Sequence, residues 1–435
     1  MTKINLKNIK KIHFIGIGGI GVSAVARMML GEGKKVSGSN LGESKIIKEL
    51  EKIGATTFYN HDESHLNPDT DLIVYSPAIP ENNTELVKAK KLNIPAITYP
   101  QSLGLISENK YTIAVSGTHG KTTTTAMIYD ILRDSNFDPT VIVGSLIKGL
   151  NGERTNFIKG DSQYFVVEAC EYKRSFLQLQ PNILVITNID LDHLDYYKDL
   201  ADIQSAFREL VLKMKESDFV VCDPDNKNIA LVIKDIKAKI IDIKNFDTNK
   251  FNLKIPGQYN LENARESFAV GNILEIEQEK SIKSLNNFEG TWRRFEFKGK
   301  TKNETLIYDD YAHNPTEVKA TLQGAKEFFP DKKITVIFQP HLYSRTKVFL
   351  EDFAKSFNDA DKVIILPIYA AREENDPTIN SQILVDKIKE NNPNVSLVKY
   401  DDLLNNFNVN GYDENNVIFT IGAGDVYKIG EKLII

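Results

Sequence analysis

Residues Tyr111–Leu132 read Y-T-I-A-V-S-G-T-H-G-K-T-T-T-T-A-M-I-Y-D-I-L. Tyr111 to Val115 is a short apolar run of the kind that forms a buried strand. From Lys121 to Leu132, apolar residues recur at helical spacing (Ala126, Ile128, Ile131, Leu132) and predict a helix. The glycine turn between them therefore opens a helix N-terminus. Free backbone N–H groups at such an end bind anions, and Gly117 and Gly120 let the backbone close on them. Lys121 can reach the terminal phosphates of a nucleotide and Thr122 can ligate a divalent cation, with Thr118, His119 and Thr123 completing the loop, the alternative being a plain glycine turn with a solvated lysine. The expected ligand is a nucleoside triphosphate. The loop is shorter than the general G-x-x-x-x-G-K-[ST] pattern, which would place a glycine at Val115.

A second glycine motif lies upstream. Gly16-Ile17-Gly18-Gly19-Ile20-Gly21 follows the strand-like run Ile12 to Ile15 and opens a helix ending near Gly31. That is the context in which G-x-G-x-x-G receives a pyrophosphate, though a tight strand-helix turn without ligand gives the same pattern. A dinucleotide site would carry Asp or Glu at the end of the next strand to hold the ribose. Here Lys35 to Ser37 runs into Gly38-Ser39-Asn40, which disfavours NAD and leaves another nucleotide diphosphate compatible. Ser76, Ala78 and Ile79 end a further strand-like run, Leu72 to Tyr75, either lining the same pocket or forming a turn started by Pro77.

Strand-like and helical runs alternate through the rest of the chain, with further strands expected at Tyr164 to Glu168, Ile183 to Asn188, Phe219 to Cys222, Leu306 to Asp310, Ile334 to Gln339, Lys362 to Pro367 and Val417 to Ile421. This pattern predicts an α/β protein with mainly parallel sheets. A length of 435 residues exceeds one ordinary core, and breaks near residues 107–110 and 290–297 divide it into 1–108, 109–292 and 293–435. The net charge of -5, with lysines interspersed among acids, argues against nucleic acid as a partner. Two cysteines are too few for a disulfide framework and suit a reducing cytoplasm. Four glycines within Gly16 to Gly21 argue against a signal peptide, and no apolar run reaches the roughly 20 residues of a membrane span.

Six ordered motifs give the combination a family likeness. They are H-F-I-G-I-G-G-I-G at 13–21, E-A-C-E-Y at 168–172, N-I-D-L-D-H-L-D at 188–195, D-D-Y-A-H-N-P-T-E at 309–317, F-Q-P-H-L-Y-S-R-T at 338–346 and G-A-G-D at 422–425, in addition to G-T-H-G-K-T-T-T-T at 117–125. Over essentially its whole length the chain resembles the Mur ligases of peptidoglycan synthesis. The resemblance implies three consecutive domains: an N-terminal Rossmann-like one for a UDP substrate, a central P-loop ATPase-like one with a parallel or mixed sheet, and a C-terminal Rossmann-like one for an amino acid. It also implies a reaction in which ATP, with Mg²⁺ or Mn²⁺ as substitute, phosphorylates the lactyl carboxylate of UDP-N-acetylmuramate and L-alanine attacks the acyl phosphate. A ligase of the same scaffold that uses murein tripeptide is one alternative, disfavoured by the intact first glycine motif. A non-enzymatic nucleotide-binding regulator is another.

Site residues follow from matching these motifs. Glu168, at a strand end facing the phosphate loop, resembles the family's metal ligand beside Thr122, the alternative being a surface partner for Lys173 or Arg174. His193 matches a histidine that binds metal near the acyl phosphate, or is held by Asp190, Asp192 and Asp195. Arg208 stands where several relatives carry a carbamylated lysine, which an arginine cannot replace. Asn263, in G-Q-Y-N-L-E-N-A, offers a donor and an acceptor to the adenine edge, the alternative being an exposed helix residue behind Asn260 as N-cap. Arg294 is assigned to phosphate or to a solvated linker, and Asp310 to the nucleotide ribose. His313 joins the substrate contacts, with a plain turn before Pro315 as the alternative. At the carboxyl end of a third-domain strand, Arg345 can fork onto an amino-acid carboxylate. His341 either orients or deprotonates the amine, or is structural, and Leu342 replaces a residue that is often basic in the family.

Overall fold

The computed structural model describes residues 4–149, 152–193, 196–371 and 373–434. They form three sheets among the described residues and group into two compact units, one of residues 1–251 with 262–286, the other of 252–261 with 287–435.

The first unit holds two sheets. One comprises β1 (Lys11–Ile15), β2 (Lys35–Ser39), β3 (Thr56–Phe58), β4 (Leu72–Tyr75) and β5 (Ala96–Thr98), all parallel, in the order β3-β2-β1-β4-β5. The helix Ile20–Gly31 follows β1, and the helix Tyr99–Ser107 starts with a capping box in which Thr98 and Gln101 satisfy each other's backbone N–H groups. The other comprises β6 (Tyr111–Ser116), β7 (Thr140–Lys148), β8 (Arg154–Ile158), β9 (Tyr164–Glu168), β10 (Ile183–Ile186), β11 (Phe219–Cys222) and β12 (Lys239–Asp242). Its order is β12-β11-β10-β6-β9-β7-β8, and only β8 runs antiparallel. Central strands of such a sheet are covered on both faces, which is why β6, β9 and β10 read as continuous apolar runs rather than alternating ones.

One hydrophobic core is continuous across both sheets, from Phe14 and Val25 through Leu103 and Ile106 to Phe165, Phe176 and Leu184. The join is also polar: the Asn156 amide on β8 donates to Ile20 O and to Ser23 Oγ (2.8 Å), and a Cβ on Gly104 would sit 2.6 Å from Gln178 O.

The second unit carries β13 (Glu296–Lys300), β14 (Leu306–Asp310), β15 (Lys333–Phe338), β16 (Lys362–Ile365), β17 (Val395–Leu397) and β18 (Asn416–Ile421) in the order β13-β14-β18-β15-β16-β17, with β13 antiparallel. The helix Pro315–Phe328 begins at a capping box made by Asn314 and Glu317 with proline in its first turn.

Two strand expectations shorten. The run Ile183 to Asn188 stops as strand at Ile186, because Thr187 and Asn188 turn their side chains onto the phosphate loop. The run Lys362 to Pro367 ends at Ile365. Leu194 and Asp195 of the N-I-D-L-D-H-L-D motif lie outside the described residues.

Candidate active site

The loop after β6 is a built turn. Gly117 (φ +138°) and Gly120 (φ +83°) adopt backbone angles that side chains resist, and a Cβ would meet Thr187 Oγ1 at 2.0 Å from the first and Asn263 Oδ1 at 2.5 Å from the second. Gly120 then starts the helix Lys121–Asp134 as an N-cap residue with no side chain of its own to bond the first N–H groups. The segment after β10 fixes the loop from the side. Thr118 N donates to Asn188 O (3.0 Å), His119 N to Asn188 Oδ1 (2.9 Å) and Asp190 N to Thr118 Oγ1 (2.9 Å), while Thr187 Oγ1 donates to His119 O (2.6 Å). Because β10, β6 and β9 are parallel neighbours, their carboxyl ends meet here, the edge at which open α/β sheets bind ligands.

Glu168 closes β9 beside this loop. Its Oε2 accepts from Thr122 Oγ1 (2.8 Å) and from Gly144 N (3.1 Å). Arg174, one of its two surface alternatives as partner, pairs instead with Asp202 (2.9 Å) and Glu209 (3.2 Å). A hydroxyl and a carboxylate are hard oxygen donors that suit a cation completing its shell with phosphate and water. Among the described residues no group of three or more His, Cys, Asp or Glu side chains could hold a metal by itself.

Lys121 sits deeper than a solvated lysine would. Its ammonium donates to Gly117 O (2.5 Å), Thr118 O (3.1 Å) and Glu171 Oε1 (3.1 Å), with Glu171 Oε2 at 3.0 Å. Burial works against that charge, but the attraction of Glu171 and Glu168 outweighs it and holds the pKa above the ordinary lysine value. For Glu171, burial presses upward, yet Lys121 and then His193 prevail, so its pKa lies below the ordinary range. His193 Nε2 is 3.5 Å from Glu171 Oε1, so the ring faces Glu171, and the backbone at His193 is left-handed (φ +53°). The motif E-A-C-E-Y by itself assigns Glu171 no role; the signal it carries is the spacing of three from Glu168.

Asn263 is buried against the same loop, with Thr124 Oγ1 3.2 Å from its Oδ1, and so is not an exposed helix residue. Its helix spans Gln258–Ile273, which puts Asn260 inside the helix rather than at a cap. Arg294 and Asp310 belong to the second unit. Arg294 lies 3.6 Å from Glu317 Oε1 and over the Tyr311 ring. Asp310 spends both oxygens on the backbone N–H groups of Phe295 (2.7 Å) and Ala312 (2.8 Å), and burial lifts its pKa to about 6 against the pull of Arg294. Its neighbour Arg293 went unnoticed in the sequence. It is 2% exposed, pairs with Asp309 (2.6 Å) and donates to the carbonyls of Gly422 and Gly424, tying W-R-R-F to G-A-G-D.

At the carboxyl end of β15, Arg345 Nη1 lies 3.1 Å from His341 Nδ1. Arginine only donates, so Nδ1 accepts and the proton of a neutral ring sits on Nε2. His341 stacks on Tyr369 (5.7 Å), and the His313 ring is 5.9 Å away. Leu342 is buried with φ +69° and begins the helix Tyr343–Val348.

In the first sheet, Gly18 N donates to Asn40 Oδ1 (3.3 Å), which ties the glycine motif to the end of β2. Gly19 starts the helix of Ile20, and a Cβ on Gly21 would meet the Tyr99 ring at 2.5 Å. Ser76 N donates to Ile15 O (3.1 Å), so the turn Ser76 to Ile79 lies at the same sheet edge, with Ala78 exposed and Ile79 against Gly16. Ser39 is buried; its hydroxyl donates to Glu85 Oε2 (2.6 Å) and is 2.8 Å from His61 Nδ1.

The first unit thus carries a phosphate loop beside a hydroxyl–carboxylate pair and a glycine turn on a Rossmann-like sheet, and the second unit carries an arginine at the carboxyl edge of its own sheet. Family models for the Mur ligase family catalytic domain, middle domain and glutamate ligase domain match residues 11–111, 115–286 and 293–424. The chain belongs to the Mur ligase family. It is 42% identical to the UDP-N-acetylmuramate–L-alanine ligase of Clostridium acetobutylicum, over 98% of this chain and 97% of that protein, and 42% identical to the one from Clostridium novyi. The solved structure of a UDP-N-acetylmuramate-alanine ligase from Thermotoga maritima matches with a TM-score of 0.80 at 30% identity, covering 97% of this chain and 98% of that one. A murein peptide ligase from Psychrobacter arcticus shares the fold, with a TM-score of 0.69 at 23% identity.

Proposed function

We propose that this chain joins L-alanine to the lactyl carboxylate of UDP-N-acetylmuramate in the cytoplasm, converting ATP to ADP and phosphate. The observation that carries the reading is the phosphate loop with Lys121 and Thr122 at the carboxyl end of β6 and Glu168 against Thr122 at the end of neighbouring β9. The names and full-length coverage of the relatives supply the substrates. A carboxylate oxygen bonds to the γ-phosphorus as ADP leaves; the amine then bonds to the acyl carbon as phosphate leaves and a proton is lost. Two anions must meet in the first step, so cationic groups aimed at the transferring phosphoryl carry most of the catalysis.

Lys121 and the N–H groups of Gly117 to Thr123 are assigned to the ATP phosphates, and Asn263, Arg294 and Asp310 to the rest of the nucleotide. Thr122 and Glu168 would hold Mg²⁺, which neutralises phosphate charge, and His193 is assigned to metal on the family pattern. Residues 1–108 are assigned to the UDP substrate through Gly18 to Gly21, Ser39, Asn40 and the turn Ser76 to Ile79; residues 109–292 to ATP; residues 293–435 to the amino acid, through Arg345, His341 and His313. The deciding experiment is mass analysis of products from ATP, Mg²⁺ and UDP-N-acetylmuramate with L-alanine or with murein tripeptide at equal concentration. The L-alanyl product should dominate. Dominance of the tripeptide product would overturn the substrate assignment, and absence of ATP turnover with either amine would favour the regulator.

A further inference from the structure

Glu171 poses a problem for a phosphate site. It is 2% exposed, carries its charge beside a loop built for polyanions, and sets both oxygens against Lys121 Nζ at 3.0 and 3.1 Å. A buried carboxylate next to bound phosphates repels them, and an uncharged side chain would leave the lysine freer to bind. The other Lys121 donors go to Gly117 O and Thr118 O, carbonyls of the loop itself, so the ammonium is tucked back into the turn. Lysine has three donors, and all three are engaged in this arrangement. A nucleotide can gain the ammonium only by taking it from Glu171 and the loop carbonyls.

We propose that Glu171 is the counter-ion that competes with the nucleotide phosphates for Lys121, and so sets how tightly the loop holds di- and triphosphates. It acts through Lys121 and is a positioning residue. His193, 3.5 Å from Oε1, remains as a partner for the carboxylate when the lysine leaves. Return of Lys121 to Glu171 then helps to discharge ADP. The inference rests on the ATP-site reading above.

The test is calorimetry of the full chain with ATP, ADP and adenosine, comparing wild type with Glu171→Gln, which keeps the shape and removes the charge. ATP and ADP should bind roughly tenfold more tightly to the variant, the factor that corresponds to about 1.4 kcal/mol, while adenosine, having no phosphate, should bind equally to both. A loss of packing would weaken all three ligands together, and that result overturns the proposal, as does unchanged affinity for ATP and ADP. Wild type that fails to bind ATP at all overturns the nucleotide reading itself. Should the glutamine variant fail to fold, Glu171→Asp withdraws the charge by one methylene and carries the same test: a gain confined to phosphorylated nucleotides supports the exchange, and no gain refutes it.

Discussion

Two buried carboxylates in the first unit do opposite things to stability. Glu85 accepts from Ser39 and lies 3.0 Å from both His13 Nε2 and His61 Nδ1. Burial presses its pKa upward, but the bonds to His13 and Ser39 prevail and hold it below the ordinary value of 4.5. Its stabilisation is therefore complete above that value and is lost as pH falls through the depressed folded pKa. Glu85→Gln should lower stability by about 2–3 kcal/mol at pH 7, as expected for losing hydrogen bonds to a charged group. Chemical denaturation at pH 7 and pH 4 checks this, with the deficit shrinking at the lower pH. Glu266 is the reverse case. Burial, reinforced by Glu262 and only partly offset by Thr124, lifts its pKa to about 8 from 4.5. Between those values the unfolded chain binds fewer protons at this site, so the contribution of Glu266 falls as pH rises. Glu266→Gln should melt higher than wild type at pH 8, with the difference vanishing toward pH 4.5.

At the scale of elements, the phosphate loop and the β15 edge each concentrate one task. Lys121→Ala removes the cation that offsets charge on the β- and γ-phosphates, and turnover should fall at least about a hundredfold, as for other lost electrostatic contacts of about 3 kcal/mol. Activity within threefold of wild type would refute the loop's role. Arg345→Lys keeps the charge but loses the planar fork, so the KM for L-alanine should rise with the KM for ATP unchanged. These elements were legible because their signals are local. The strands Leu72–Tyr75, Tyr164–Glu168, Phe219–Cys222 and Leu306–Asp310 fall where their apolar runs do, and Lys121, Thr122 and Glu168 are fixed by a turn and a strand end. Three-residue strands such as β3, β5 and β17 are too short to show a period, and the hairpin of β7 and β8 is interrupted by an irregularity between Ile142 and Ile147. Contacts such as Glu171 with Lys121 and Ser39 with Glu85 join residues about 50 positions apart. No spacing rule announces them; the fold does.

For the molecule as a whole, a ligand that binds only the folded chain raises its stability by mass action, about 2.7 kcal/mol at a hundredfold excess over Kd. Thermal midpoints should therefore rise with ATP and Mg²⁺ and with UDP-N-acetylmuramate. NAD should leave them unmoved, because Ser39 and Asn40 stand where a dinucleotide site carries its carboxylate, and the nearby Glu85 is buried among histidines. A shift with NAD larger than that with the UDP substrate would reassign the first sheet.

The outermost strands carry a further consequence. A sheet margin with unsatisfied N–H and C=O groups is a template on which a second chain can add itself, the first step toward fibrous aggregates. Here β3, β5 and β17 end their sheets after three residues, and β12 and β13 place Lys239, Lys298 and Lys300 along their margins. The longer β8 starts with Arg154, and its Asn156 amide binds the helix Ile20–Gly31. Margins kept this short, or set with lysines, offer a second chain little to pair with while the protein is crowded among its neighbours.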